Sequence, residues 1–181
     1  MPPDWFMLNK FFLKFGGQKG FTLVEVMVAL SISAVGIIGA YELVNQSLSM
    51  SDSAARRFGA IYLANEGLEI ARNIRDANYL ELYYDGSGSW NDGLTGCASG
   101  CGADYLSGAL DASPSTYNMP LKSSGGFFSY SSGAATAYKR KITVEDRGDY
   151  LEVSVQVKWG EDNWGGKDSV TARENLYNWW Q

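Results

Sequence analysis

Gly20-Phe21-Thr22-Leu23-Val24-Glu25, followed by Val26-Met27-Val28-Ala29-Leu30, is the stretch on which the rest of the chain depends. From Phe21 to Tyr41 one side chain is charged, Glu25, and most others are Leu, Ile, Val, Ala, Met, Gly or small hydroxyls. An uncharged run of this length is about what a helix needs to cross a bilayer, roughly 20 residues at roughly 1.5 Å each. A carboxylate one turn inside such a helix is the anomaly. An ionisable side chain in lipid costs on the order of 3 kcal/mol, so its presence calls for a partner and a task.

The flanks give the run a direction. Lys10, Lys14 and Lys19 precede it, and Glu42 and Asp52 are the first charges after it. The positive-inside rule keeps residues 1–20 in the cytoplasm and sends the C-terminal part out. Phe6, Phe11, Phe12 and Phe15 alternate with Lys10 and Lys14, which suits either a short amphipathic helix on the membrane or a tail that is cut off. Two plainer readings of the run are a signal anchor and the core of a secretory signal peptide. The run is long for a signal-peptide core, Glu25 is costly in both, and Ile38-Gly39-Ala40 is a poor small-x-small cleavage site.

A chain of 181 residues has room for one modest domain plus appendages. The net charge is −5, and the basic leader makes the remainder more acidic still. That balance argues against a nucleic-acid partner, which normally meets a basic face. There is no histidine and there are two cysteines. A four-ligand zinc site of the usual kind is therefore not expected, histidine-based catalysis is excluded, and no nucleophile–base pair is recognisable. No cofactor, no metal ligand and no catalytic residue is assigned.

After Tyr41 the helix continues to about Asn78, since no proline occurs between Pro3 and Pro114. Ala60, Leu63, Gly67, Ile70 and Ile74 recur in steps of three and four, the apolar face of an amphipathic helix. Arg72 has Glu69 and Asp76 in reach on the other side. Phe58, Ile61 and Leu68 lie off the main face, either as extra core or as contacts to neighbouring subunits. Residues 79–126 then turn to Gly, Ser, Asp and Asn and read as a long loop region holding Cys97 and Cys101. In an exported domain those two thiols form a small-loop disulfide; a redox or metal-binding pair is the competing reading. Asp85, Asp92 and Asp104 are turn residues or calcium ligands, without calcium-loop spacing.

Residues 127–181 read as an antiparallel sheet. Leu151, Val153, Val155, Val157 and Trp159 alternate strictly with polar residues, the clearest half-buried strand in the chain. Tyr138, Arg140, Ile142 and Val144 form the strand before it, with Arg147-Gly148-Asp149 as the turn, and Val170 to Tyr177 the strand after. Phe127 to Tyr130 adds a fourth. Trp159, Trp164, Trp179 and Trp180 close the end of the core or stack on a sugar or surface. Lys139-Arg140-Lys141, the only basic cluster, is expected on a solvated strand face. The expected fold class is α+β, a long N-terminal helix with a hydrophobic first half, packed by its second half on a C-terminal antiparallel β-meander. The expected domains are 1–20 leader, 21–78 helix with 21–41 transmembrane, 79–126 loop region and 127–181 sheet.

Gly20-Phe21-Thr22-Leu23-Val24-Glu25, with lysines before it and an apolar run behind it, resembles the processing site of type IV prepilins and pseudopilins. The resemblance covers about the first third of the chain, and it implies a type IV pilin-like fold. It implies cleavage after Gly20 by the prepilin peptidase, N-methylation of the new first residue, Phe21, and a role for Glu25 in filament assembly. It implies an inner-membrane precursor whose partners are that peptidase, other pilin subunits and the assembly platform. In such proteins a glycine or proline in the apolar half, here Gly36 and Gly39, marks a segment that unwinds in the filament. The ending Asn178-Trp179-Trp180 resembles minor pilins of the pilus-modification type. A type II secretion or competence pseudopilin is the alternative within the family. A single-pass anchored extracytoplasmic binding domain that never assembles is the alternative outside it.

Overall fold

The computed structural model describes residues 20–160 and 163–179. The leader expected over 1–20 therefore lies, except for Gly20, outside the described residues, as does Trp180. Helix α1 runs Leu23–Asp85 without a break. It passes the expected end at Asn78 because Tyr79 to Tyr84 holds no Gly or Pro, and it stops where Gly86 and Gly88 take positive φ. It also continues through Gly36 and Gly39. Two compact units share this helix, parting between Ser49 and Met50.

The described part of the first unit is Gly20, Phe21 and Thr22 followed by helix, with every residue exposed. Leu23, Val24, Leu30, Ile32, Val35, Ile37 and Ile38 all present their side chains outward. This is the one described helix long and apolar enough to cross a membrane. An apolar surface on all sides suits lipid or other helices, not water.

In the second unit the helix lies on a sheet of strands β4 (Lys139–Asp146), β5 (Tyr150–Lys158) and β6 (Ser169–Tyr177), in the order β4-β5-β6 and antiparallel throughout. Register pairs Ile142 with Val155 and Val153 with Glu174. At the β4–β5 turn Gly148 has φ 87°, and its N–H donates to Asp146 Oδ1 at 2.8 Å. The inward face of β5, Leu151, Val153, Val155 and Val157, is buried against Ala60, Leu63, Ala64, Ile70, Ala71 and Ile74 of α1. Replacing Leu63 or Ile70 by Ala is expected to cost about 2–5 kcal/mol through lost burial and the cavity left. Thermal melts of the full chain in detergent check this, and unchanged melting temperatures for both would disprove the packing.

Two glycines set how closely helix and sheet approach. A Cβ on Gly67 meets Val155 Cγ1 at 2.7 Å, and one on Gly59 meets the Tyr138 hydroxyl at 2.5 Å. That hydroxyl donates to the Arg56 carbonyl at 3.1 Å. Arg72 joins the elements again, pairing with Glu69 on its own helix and with Glu174 of β6 at 2.6 Å. Asp76, expected as its other partner, pairs with Arg75 instead.

Residues 79–126 are less loop-like than their composition suggests. Leu94, Cys97, Cys101, Ala103 and Leu121 are all in the core. Short helix α2 (Pro114–Asn118) and strand β1 (Lys122–Ser124) lie within them. β1 pairs with β2 (Phe127–Ser129) and β3 (Ala134–Ala135) in a separate small sheet. Phe127 to Tyr130 thus adds no fourth strand to the main meander. The reason is along the edge of β4, which the chain has already covered. Cys101 exchanges both backbone hydrogen bonds with Ile142, at 2.7 and 2.9 Å. Val144 N–H donates to the Cys97 carbonyl at 3.3 Å, and Leu121 N–H to the Tyr138 carbonyl at 2.8 Å. A disulfide joins Cys97 to Cys101 across a Cα–Cα distance of 5.3 Å, with both residues buried. The Gly/Ser segment therefore closes a sheet edge that would otherwise offer unpaired backbone groups to other chains.

Arg140 corrects the expected solvated face of Lys139-Arg140-Lys141. Its side chain is 0% exposed. Nη1 donates to the Leu63 carbonyl at 3.2 Å and lies 3.4 Å from Glu66 Oε1, and Nη2 donates to the Ala103 carbonyl at 2.6 Å. One guanidinium thus ties helix, sheet and disulfide segment together. The signal was its place in the period-2 series with Ile142 and Val144, which points it inward whatever its charge.

The other expectations divide. Phe58 is exposed, whereas Leu68 packs partly against the core. Of the tryptophans, Trp159 and Trp90 join the core, while Trp179 is 59% exposed and Trp164 lies under the Lys141 and Lys158 ammoniums at about 5 Å. Burial and the Lys158 charge push the Lys141 ammonium down from the ordinary lysine range. Asp92 and Asp104 act in turns. Asp92 Oδ2 accepts from Ser89 N–H, and Asp104 accepts from the N–H groups of Leu106 and Tyr130.

Candidate functional site at the helix head

The residues singled out at the N-terminus are neighbours around one helix start. Gly20, Phe21 and Thr22 precede the helix, and Leu23 is its first residue. Thr22 is the N-cap. Its Oγ1 accepts from the Glu25 N–H at 3.2 Å, and its carbonyl accepts from Val26 N–H at 3.2 Å, the first turn of the ladder. Thr22-Leu23-Val24-Glu25 thus has the form of a capping box, Thr or Ser followed three residues later by Glu or Gln. This cap was legible in the sequence, yet reading the stretch for its charge alone passes over it.

Gly20 has no positive φ, and a Cβ built on it meets nothing within 4 Å. Among the described residues none crowds that position. Phe21 is 79% exposed and outside the helix, so the peptide bond between the two is reachable. Glu25 stands in the first turn, where a negative charge suits the helix dipole. Among the described residues no cation pairs with it. Farther along, Ser31 Oγ donates to the Met27 carbonyl at 2.8 Å, hiding its hydroxyl as a helix in lipid requires.

The arrangement is an exposed stretch, Gly20 to Thr22, followed at once by a capped apolar helix with one carboxylate near its head. Cys97 and Cys101 belong to the other unit and take no part in it.

No curated protein matches the chain, and no solved structure does. A family model described as the prokaryotic N-terminal methylation motif matches residues 16–41. The proteins that share this motif are structural, and it implies processing by the prepilin peptidase, anchoring in the membrane and assembly with other pilins. With the motif, the apolar helix behind it and an α+β fold of long helix and small antiparallel sheets, the chain is a type IV pilin-like precursor bearing the prepilin signature at residues 16–41.

Proposed function

We propose that the protein is a structural subunit of a type IV pilus-like filament, of the minor kind. It is made as an inner-membrane prepilin with its leader in the cytoplasm, cut after Gly20, methylated on the new amine of Phe21 and assembled through α1. The observation that carries this reading is Gly20 itself. Among the described residues nothing crowds a Cβ at that point, so a demand for glycine there would come from whatever binds the junction. A peptidase that seats the residue before the bond in a tight subsite makes that demand.

Gly20→Val is expected to leave the full-length precursor in the inner membrane, seen as unprocessed protein by mass. Normal-sized mature protein from that variant would put the cut elsewhere. The mass of the N-terminal peptide of the wild type tests cleavage and methylation together. A single-pass anchored binding domain, the other class of reading, keeps Met1. Secretion and competence pseudopilins differ from a pilus subunit in where the filament is found, and a minor subunit from a major one in its copy number within it.

A further inference from the structure

Cations of the second unit gather at one end of it. Arg56, Arg57, Lys167 and Trp159 line an open groove of about 470 Å3 between α1 and the β5–β6 connection. Asp168 is the one acid among the described residues that line it. Asp52 holds Arg56 at 3.0 Å. Arg57 and Lys167 are exposed and, among the described residues, join no ion pair. The sheet adds positive charge at the same end, where β4 begins and β5 leads into the groove at Trp159. There the Tyr138 hydroxyl, beside Lys139 in sequence, reaches the Arg56 carbonyl. Register sets Lys139 directly opposite Lys158, and like charges so placed destabilise a strand pair. The Lys141 and Lys158 ammoniums lie over the Trp164 ring at 5.0 and 5.1 Å. Lys139 and Lys141 also join no ion pair among the described residues.

A chain of net charge −5 that collects cations at one end presents that end to an anion. Two observations say which anion. The first is the tether. Ser53, on the groove wall, follows Tyr41, the end of the apolar run, by 12 residues. That is about 18 Å of chain as helix and on the order of 40 Å fully extended, however the two units are arranged. The second is composition. Trp159 and Trp164 stand among the cations, and tryptophan beside basic side chains suits the headgroup layer of a bilayer. An acidic protein or a nucleic acid matches the charge but has neither observation in its favour.

We propose that this face docks on anionic phospholipid headgroups of the membrane in which α1 is anchored, their phosphates against Arg57 and Lys167. The surface lies wholly within the second unit. The proposal rests on membrane anchoring of α1 and on neither cleavage nor filament assembly. The test is the reactivity of Lys167 toward an acylating reagent, read by peptide mass, in the full chain reconstituted into nanodiscs, whose two faces are both open to reagent. Discs of phosphatidylcholine alone are compared with discs that also hold phosphatidylglycerol. Lys122, which does not line the groove, is the reference. Relative to Lys122, Lys167 is expected to react about fivefold more slowly when phosphatidylglycerol is present, an effect that high salt removes. Arg57→Gln, at an exposed position, should cut that protection to less than about twofold and leave the melting temperature unchanged. Equal slowing of Lys122 and Lys167 would reduce the effect to the general field of the lipid. Equal protection in phosphatidylcholine discs by soluble hexaglutamate, a DNA oligonucleotide or glycerol 1-phosphate would give the face to a protein, a nucleic acid or a small anion. Either result, or no protection, or protection that Arg57→Gln leaves unchanged, overturns the proposal. A chain that enters discs of neither kind would overturn the anchoring as well, which keeps the two failures apart.

Discussion

Glu25→Ala should be cleaved and inserted normally yet enter filaments at less than about one tenth of the wild-type ratio of filament to membrane protein. The argument starts from cost. In the bilayer the carboxylate needs a cation, and leaving a charge without one costs several kcal/mol, where about 1.4 kcal/mol is a factor of ten. Cleavage after Gly20 would create a suitable cation, because a free α-amine has a reference pKa of about 8 and N-methylation leaves it basic. The amine of Phe21 would then lie about one helical turn from Glu25 along the axis. If an incoming subunit's amine meets the Glu25 of a subunit already in place, axial register follows, since an offset leaves two charges unpaired in lipid.

The helix cap offers a rival account, in which Glu25 serves only its own helix start. The two accounts part at Glu25→Gln. A capping box accepts Gln as readily as Glu, so a purely local role survives that change. A register charge does not. Glu25→Gln is therefore expected to be nearly as defective as Glu25→Ala. Thr22→Ala removes the cap, at about 0.5–2 kcal/mol of helix-end stability, and keeps the charge, so it should assemble far better than either. Filament-to-membrane ratios at equal expression measure all three. Wild-type ratios for both Glu25 variants would remove Glu25 from the assembly mechanism.

Arg140→Ala is expected to cost about 3–5 kcal/mol, near the largest loss for any one side chain of this domain. The guanidinium serves the carbonyls of Leu63 and Ala103 and the carboxylate of Glu66, which come from three separate parts of the chain. Removing it leaves those acceptors in a dry site and opens a cavity beneath Gly67, whose missing Cβ makes room for the Arg140 stem. Since about 1 kcal/mol lowers the melting temperature of a domain this size by roughly 2–4 °C, the drop should be on the order of 10 °C. Arg140→Lys should recover little, because an ammonium on a flexible stem cannot present the planar fork that reaches two carbonyls at once. Arg140→Met keeps much of the stem's packing and should fall between. Among the described residues Nε of Arg140 finds no hydrogen-bond partner. A melting temperature for Arg140→Ala within about 3 °C of wild type would show that the site repacks without it.

The sequence alone determined whatever repeats along the chain. The uncharged run from Phe21 to Tyr41, the three–four spacing from Ala60 to Ile74 and the alternation from Leu151 to Trp159 each state their own geometry, because a helix and a strand impose fixed periods on neighbouring side chains. The prepilin signature was legible for a related reason: it is a short contiguous string, matched by the N-terminal methylation motif at residues 16–41. The tertiary structure decided what depends on a partner far off in the chain. The period-2 series with Ile142 and Val144 points Arg140 inward, but nothing near it names its partners; Leu63, Glu66 and Ala103 are supplied by the helix and the disulfide segment. Composition marked Cys97 and Cys101 as loop residues, and only the free edge of β4 gave their backbone a strand to pair with. Phe127 to Ser129 has strand chemistry either way. It joined the smaller sheet because the edge it would have extended was already taken, and occupancy of an edge is a property of the whole fold and not of the residues that seek it.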